Sequence, residues 1–305
     1  MKYLIIGAGG TGGCIGADMA RAGRDVTLIA RGEHLEHIKK DGLIIDSAIE
    51  GEYAVRIKAS DMEHYNERPD VIFVCVKYYS LQEIIPFMQS VLKTDTVIIP
   101  VLNVYTTGEY LQQKFADNLV TDGCIYVASQ IKSPGVIHMD GKILRVVFGV
   151  REKSEFSELL LEIKKDLSES GIEAVLSDNI RRDALMKFSY VSPAAACGLY
   201  YDADAGKMQK EGEIRDFFVQ LIKEVEAIAR AIGIEFGTDI VKTNLDILDS
   251  LCARASTSLQ RDIYAGKKSE YDGLIKQVII KAGEYGIDVP GYKKVHEKEL
   301  RLRNN

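Results

Sequence analysis

Short, continuous apolar runs alternate with amphipathic segments in the N-terminal third of the chain. Four of these runs are rich in β-branched residues, which is typical of strands buried on both faces of a sheet: KYLIIG, DVTLIAR, DVIFVCVK and TVIIPVLN. Helical segments lie between them: CIGADMARAG, which Gly23 ends, GEHLEHIKKDG, which Gly42 ends, and a segment over 80–92. This strand–helix–strand order predicts a parallel, doubly wound α/β sheet of the Rossmann type.

Beyond the fourth run the pattern changes. NLVTDGCIYVASQI and GVIHMDGKILRVVFG are extended, and Asp140-Gly141 is predicted to form the turn of a hairpin. A helix near 154–170 and the short strand IEAVLS complete a predicted N-terminal domain over 1–177. From 178 to 305 the chain is predicted to be all-helical. Its clearest helix, over 211–232, repeats apolar residues at three- and four-residue steps.

Composition narrows the class of protein. The 305 residues are 46% hydrophobic and 28% charged, with a net charge of −6, as in an ordinary globular protein without a basic field for nucleic acid. No apolar run reaches the ~18 residues of a membrane span, and the N-terminus lacks the chemistry of a signal peptide. Five scattered cysteines predict reduced thiols and a cytoplasmic location, not a disulfide framework or zinc site.

The most informative motif is GAGGTG, in which Gly7, Gly9 and Gly12 have the Gly-x-Gly-x-x-Gly spacing. It follows a predicted strand and opens a predicted helix, which is the context of a dinucleotide-binding loop. Gly7 would make the tight turn, Gly9 would let a diphosphate approach the backbone, and Gly12 would let helix and strand pack closely. The anion would lie at the helix N-terminus. A glycine turn without a ligand is the alternative.

The end of the second strand bears on the choice of dinucleotide. NAD sites usually place an acidic residue there to bind the ribose 2′-hydroxyl, but this strand ends in LIAR, with Arg31 at that place. A guanidinium can pair with a 2′-phosphate, so NADP is favoured over NAD. The alternative is a solvated arginine at a helix start. His34 and His37, on the polar helix that follows, are predicted to be solvated, and no metal site is predicted.

Residues that could carry chemistry lie at two strand ends and in the helical region. Lys77 and Asn103 end neighbouring strands, where ligands of open α/β sheets bind. Lys187 is the single lysine in the mostly apolar stretch 181–200. Ser258 and Glu270 lie within 255–274. The alternatives are surface polar residues for the strand ends, a snorkelling lysine, a helix cap for Ser258 and a solvated charge for Glu270.

Over essentially its whole length the chain resembles the ketopantoate reductases (2-dehydropantoate 2-reductases). The resemblance rests on GAGGTG, VTLIARGEHLEHI, VKYYSL, the Asn103 strand end, LMKF and, most specifically, STSLQRDIYAGKKSEYD. It implies a Rossmann domain followed by a helical domain, and NADPH-dependent reduction of ketopantoate to (R)-pantoate in pantothenate and coenzyme A biosynthesis.

The same resemblance implies a role for each candidate residue. Gly7, Gly9 and Gly12 would hold the NADPH diphosphate, and Arg31 its 2′-phosphate. Lys77 and Asn103 would line the nicotinamide and the substrate. Lys187 would be the general acid, Ser258 would contact substrate, and Glu270 would bind substrate and orient the lysine. The partner is then a small 2-oxo acid, and the sequence leaves a homodimer open.

Several positions depart from the family pattern. Val191, Ala195 and Ala255 replace asparagines, Val104 replaces a glycine after Asn103, and Leu185 replaces a tryptophan before the lysine. An apolar wall favours different substrate groups from one lined by amides. A related 2-oxo acid therefore stays an alternative, as do a 3-hydroxy acid and a non-catalytic NADPH-sensing protein that would not need Lys187.

Overall fold

The computed structural model describes residues 1–303, with side chains through residue 301. The chain divides into two compact units. The first consists of Met1–Leu102 with Thr106–Ile180, and the second of Asn103–Tyr105 with the chain from Arg181 onward. The short segment 103–105 thus belongs with the helical unit, although it directly follows a strand region of the first. The domain boundary between 177 and 178 stays a prediction.

The strands of the first unit form two sheets: β1 (Lys2–Ile6), β2 (Asp25–Ile29), β3 (Leu43–Ser47), β4 (Gly51–Val55), β5 (Lys58–Ser60), β6 (Val71–Val74), β7 (Val97–Pro100), β8 (Asp122–Ser133), β9 (Val136–Gly149) and β10 (Glu173–Leu176). The helices that pack with them are α1 (Gly10–Arg21), α2 (Gly32–Asp41), α3 (Leu81–Val91), α4 (Thr107–Lys114) and α5 (Leu159–Glu169).

The first sheet is parallel, in the order β5-β2-β1-β6-β7, and the predicted fold class is confirmed. Its strands are apolar on both faces because both faces are covered. Along β1, Tyr3 and Ile5 pack into one hydrophobic cluster and Leu4 and Ile6 into another, and all four are at most 1% exposed. Alternation along the strand sends these neighbours to opposite faces.

The second sheet has the order β10-β9-β3-β4, and β8 pairs with β9. The hairpin turn predicted at Asp140-Gly141 is wrong. The chain turns at residues 134–135, and β9 continues through Gly141. Tyr126 pairs with Arg145 but Ala128 pairs with Asp140, so the Gly141 region forms a bulge. Gly141 has a positive φ of 73° in this bulge. Glycine favours positive φ in bulges as well as in turns, so its presence does not distinguish the two.

The hairpin of β8 and β9 packs closely against the first turns of α1. A Cβ atom added at Gly10 would lie 2.8 Å from the backbone of Ser129 in β8. One added at Gly13 would lie 2.0 Å from Cδ1 of Ile137 in β9. The second sheet therefore supports the helix that begins at the glycine motif.

The second unit is helical, as predicted: α6 (Ile180–Tyr201, whose first residue is assigned to the first unit), α7 (Ala205–Met208), α8 (Glu213–Ala231), α9 (Ile240–Ser250), α10 (Ser258–Tyr264), α11 (Gln277–Glu284) and α12 (Pro290–Arg303). The predicted apolar face of α8 is buried at Phe217, Phe218, Leu221, Val225 and Ile228. Among the helices of residues 1–303, none has the length and apolar composition that a membrane crossing requires.

Candidate active site

The glycine motif forms a tight connection between β1 and α1. Gly7 has a φ of +104°, a conformation that side chains disfavour, and the N–H groups of Gly7 and Ala8 both donate to Ile29 O, at 3.2 and 3.1 Å. A Cβ at Gly12 would lie 2.2 Å from Gly7 O. The first and third glycines are therefore required by the close packing of the loop on the helix and the adjacent strand.

Gly9 has a different environment. It is the N-cap of α1, its φ of −75° is ordinary, and a Cβ added there would have no heavy atom within 4 Å. No side chain caps the helix at this residue. The first-turn N–H groups of a helix have no partners within the helix, and they favour an anion. A tight loop with open space at its tip fits the diphosphate of a dinucleotide.

Arg31 lies close to this loop in the chain's first unit. It is exposed, it follows β2 by two residues, and it is the N-cap of α2. The carbonyl of Ile29, which receives the two loop N–H groups, is only two residues before it. The backbone of Arg31 therefore lies at the carboxyl ends of the strands, on the same edge of the sheet as the glycine motif.

His34 is a residue whose position the sequence analysis missed. The prediction of a solvated side chain is wrong, because the ring is half-buried: Nε2 lies 2.7 Å from Ala8 O, and Nδ1 accepts from Gly135 N at 2.9 Å. The sequence does contain a signal for this burial: His34 directly precedes Leu35 and lies about one turn before Ile38, which are the buried residues of α2. His37 is exposed, as predicted. Within residues 1–303 no cluster of potential ligands suits a metal ion.

Lys77 also belongs to the first unit. It follows β6, it is half-buried, and it is the N-cap of a single 3-10 turn over Tyr78–Ser80, in which its carbonyl accepts from Ser80 N at 2.9 Å. The end of β6 and this turn thus fix the backbone from which the lysine side chain extends.

In the second unit, the structure brings two of the predicted residues together. Lys187, in α6, donates from Nζ to Oδ1 of Asn103 at 2.7 Å, and both side chains are half-buried. Nearby aromatic residues also pack together: the ring of Tyr105, two residues after Asn103, is 6.4 Å from that of Phe188, which follows Lys187. The amide oxygen of Asn103 therefore holds the ammonium group of Lys187 in a defined place.

Ser258 and Glu270 lie in the same unit as Lys187. Ser258 is the first residue of α10, but the preceding Thr257 caps that helix: its Oγ1 accepts from Gln260 N, and Gln260 Oε1 accepts from its N–H. The alternative of a cap at Ser258 is thus wrong. Glu270 is only 4% exposed, so the alternative of a solvated charge is wrong as well. A buried carboxylate requires compensating partners.

The positions that depart from the family pattern are not equivalent. Val191 and Ala255 are half-buried, whereas Ala195 is fully buried in the helical unit. Val104 and Leu185 are buried at 3% and 2% exposure. An asparagine at 195 would thus have to place its amide within this packing.

Comparison with protein families gives two matches that together span most of the chain. The model described as "Ketopantoate reductase PanE/ApbA" matches residues 3–153, and that described as "Ketopantoate reductase PanE/ApbA C terminal" matches residues 179–298. The first match ends at residue 153, and the second begins at residue 179, just before α6.

Individual relatives are distant but match over nearly their full length. An uncharacterized oxidoreductase, YkpB, of Bacillus subtilis is 27% identical, covering 97% of each chain. A 2-dehydropantoate 2-reductase of Pyrococcus horikoshii is 26% identical, covering 95% of this chain and 93% of the other. A solved structure of D-mandelate dehydrogenase with NADH and anilino(oxo)acetate has a TM-score of 0.87 at 22% identity, covering 99% of this chain and 100% of that one, and therefore shares the fold.

Proposed function

Because this chain belongs to the ketopantoate reductase family of oxidoreductases, we propose that it is an NADPH-dependent 2-oxo acid reductase acting on 2-dehydropantoate. The product would be (R)-pantoate, for pantothenate and coenzyme A biosynthesis. The observation that carries the proposal is the 2.7 Å hydrogen bond between Lys187 Nζ and Asn103 Oδ1. A cytoplasmic location, a homodimeric assembly and a small-molecule partner, with no nucleic acid, complete the proposal.

The first domain, residues 1–177, would bind the cofactor. Gly7 and Gly12 keep the loop tight, Gly9 leaves room for the diphosphate, and Arg31 would pair with the 2′-phosphate, which NAD lacks. Lys77 and Asn103 would line the nicotinamide. When bound, NADPH supplies the hydride that the carbonyl carbon of the substrate must receive.

The second domain, residues 178–305, would supply the proton and hold the acid. Reduction of a carbonyl leaves charge on its oxygen, and the ammonium of Lys187 would stabilise that charge and donate the proton there. Asn103 accepts one N–H of this ammonium and so directs the others. Ser258 would hydrogen-bond the substrate. The buried Glu270 would bind the substrate and help to orient the lysine.

A second candidate is a 2-oxo acid with a bulkier apolar group. It is favoured by the half-buried apolar side chains of Val191 and Ala255, which stand at positions where some members of the family carry asparagine. The likeness to D-mandelate dehydrogenase, whose solved structure holds an aromatic oxoacetate derivative, points to the same class. Lys187 would serve this substrate in the same way, because the reacting carbonyl is unchanged.

The test is oxidation of NADPH or NADH by the purified protein with a panel of acids, including ketopantoate and benzoylformate, combined with a direct binding titration. Turnover of ketopantoate with the highest kcat/KM, and with NADPH preferred, supports the proposal. Preference for benzoylformate replaces it with the second candidate. In a parallel assay with NADP⁺ or NAD⁺ as the hydride acceptor, oxidation of a 3-hydroxy acid in preference to reduction of any 2-oxo acid replaces it with a dehydrogenase. Tight NADPH binding without any turnover makes the protein a sensor.

A further inference from the structure

The imidazole of His34 connects the glycine motif to the turn of the β8–β9 hairpin. Gly135 N–H can only donate, so the Nδ1 atom 2.9 Å away must be unprotonated. Ala8 O can only accept, so the Nε2 atom 2.7 Å away must carry the proton. The neutral ring protonated at Nε2 satisfies both bonds. Burial lowers the pKa of His34, which favours this neutral form.

Fixing Ala8 O also fixes the next N–H group. The peptide between Ala8 and Gly9 is trans, so its C=O and N–H point in opposite directions. With Ala8 O held by His34, the N–H of Gly9 must point away from the imidazole. A Cβ added at Gly9 would have no heavy atom within 4 Å, and the glycine has no side chain of its own to restrict this peptide.

The second contact of His34 is to an immobilised part of the chain. The turn at Gly135 packs against α2, since a Cβ added at Gly135 would lie 2.6 Å from Cβ of His37. The carbonyl of Gly135 accepts a hydrogen bond from Ile44 N in β3, at 2.9 Å. The hairpin therefore gives the imidazole a firm support on the side away from the glycine motif.

We propose that His34 is a positioning residue for the dinucleotide, which holds the Ala8–Gly9 peptide in the orientation that presents the loop to the diphosphate. This inference rests on the proposed binding of a dinucleotide at the glycine motif. His34 acts through the backbone and does not itself contact the cofactor.

The experiment compares His34→Leu, which removes both hydrogen bonds, with His34→Gln, whose amide offers one donor and one acceptor. His37→Leu is the matched control, because it makes the same change one turn later on the exposed side of α2. For each full-length protein we would measure the Kd of NADPH by titration, steady-state kinetics, the unfolding temperature, and hydrogen exchange of residues 7–13 without cofactor.

For His34→Leu we expect the Kd and KM of NADPH to rise about tenfold, kcat at saturating NADPH to stay within about twofold, and exchange in the loop to accelerate. His34→Gln should restore most of the affinity, and His37→Leu should resemble the wild type. A folded His34→Leu protein with wild-type Kd overturns the inference, and so does a Gln variant as weak as the Leu variant. If the wild type binds neither NADPH nor NADH, the proposed function fails. If hydrogen exchange in the loop is unchanged in His34→Leu, His34 does not support the loop, and the inference fails independently of the proposed function.

Discussion

Asn103 and Lys187 are 84 residues apart in the chain, and the amide oxygen of the first accepts a hydrogen bond from the ammonium of the second over 2.7 Å. Both belong to the helical unit, because segment 103–105 leaves the strand region and packs with α6. A lysine held in this way has its charge at a fixed point. That is the property a proton donor to a developing alkoxide requires.

Replacing Lys187 with alanine removes the proposed proton donor. We expect kcat for 2-oxo acid reduction to fall by ~10² or more, with the Kd of NADPH changed less than about threefold. The control is Lys223→Ala, an exposed lysine on α8. Steady-state kinetics and cofactor titration check both variants. An unchanged kcat in Lys187→Ala would remove this residue from the mechanism.

Replacing Arg31 with aspartate should change which dinucleotide binds. The carboxylate would repel a 2′-phosphate and could accept hydrogen bonds from the ribose hydroxyls of NADH. We expect the ratio of kcat/KM for NADPH to that for NADH to fall by ~10². Lys39→Asp, on the exposed face of α2, introduces the same charge farther along the helix and should leave the ratio nearly unchanged. If Arg31→Asp keeps the wild-type ratio, the 2′-phosphate is recognised elsewhere.

Two glycines of the motif should respond in opposite ways to alanine. At Gly9 the added methyl meets no atom within 4 Å, so the protein should keep its unfolding temperature, yet the methyl would occupy the space that a diphosphate needs. We expect the Kd of NADPH to rise about tenfold or more. At Gly12 the methyl would lie 2.2 Å from Gly7 O, so unfolding itself should occur at lower temperature. Calorimetry with cofactor titration distinguishes the two effects; undisturbed binding in Gly9→Ala would contradict a diphosphate at this tip.

Thr257 and Ser258 are adjacent, but only one caps α10. Thr257→Ala removes the capping hydroxyl and should lower the free energy of unfolding by about 1 kcal/mol, with KM for the acid unchanged. Ser258→Ala should leave stability within ~0.5 kcal/mol and raise KM about fivefold, because a hydrogen bond to the substrate is lost. Denaturant unfolding and initial-rate kinetics on both variants test this. The reverse pattern would exclude Ser258 from substrate binding.

The stability of the first unit should depend on pH through Asp18 on α1. Burial raises the pKa of Asp18 to about 6, only partly offset by Arg21 Nη2 at 3.6 Å. In the unfolded chain this pKa is about 3.9, so between these values the folded state binds more protons and stability falls as pH rises.

Asp18→Asn should therefore stabilise the protein by about 1–2 kcal/mol at pH ~8 and have almost no effect at pH ~4. This range is smaller than the free energy that corresponds to the full pKa shift, because the Asp18 side chain is partly solvated and the substitution also removes the contact with Arg21. Asp41→Asn on the exposed face of α2 is the control. Denaturant unfolding at both pH values is the measurement, and an equal effect at the two would contradict the assignment to this carboxyl.

The sheet of the first unit was predictable because its signal is local. A strand covered on both faces must be apolar at every position, as in KYLII, and the glycine motif must follow such a strand. The hairpin turn was not predictable in this way. Asp140-Gly141 and residues 134–135 both suit a turn, and only the pairing of β8 with β9 decides between them.

In the candidate site, too, some features follow from local sequence signals and others depend on tertiary contacts. The residue types were indicated by strand ends, a lysine in an apolar helix and the family resemblance. The hydrogen bond between Lys187 and Asn103 joins residues 84 positions apart, so it depends on the tertiary fold. No local periodicity of the sequence predicts it. The burial of His34 was not predicted because helix periodicity reports only the average polarity of a helix face. A histidine with both nitrogens satisfied by the backbone is as compatible with a buried position as an apolar residue.

The packing of the hairpin against α1 changes how the run of glycines should be read. Between positions 7 and 13 the chain has glycines in addition to those of the motif, at 10 and 13, and these two face Ser129 and Ile137 of the second sheet. The close packing of the β8–β9 hairpin is enough to explain why these two positions lack side chains. If this loop were transplanted into a dinucleotide-binding domain that lacks such a sheet, alanine should be accepted at 10 and 13, while 7, 9 and 12 would still have to be glycine.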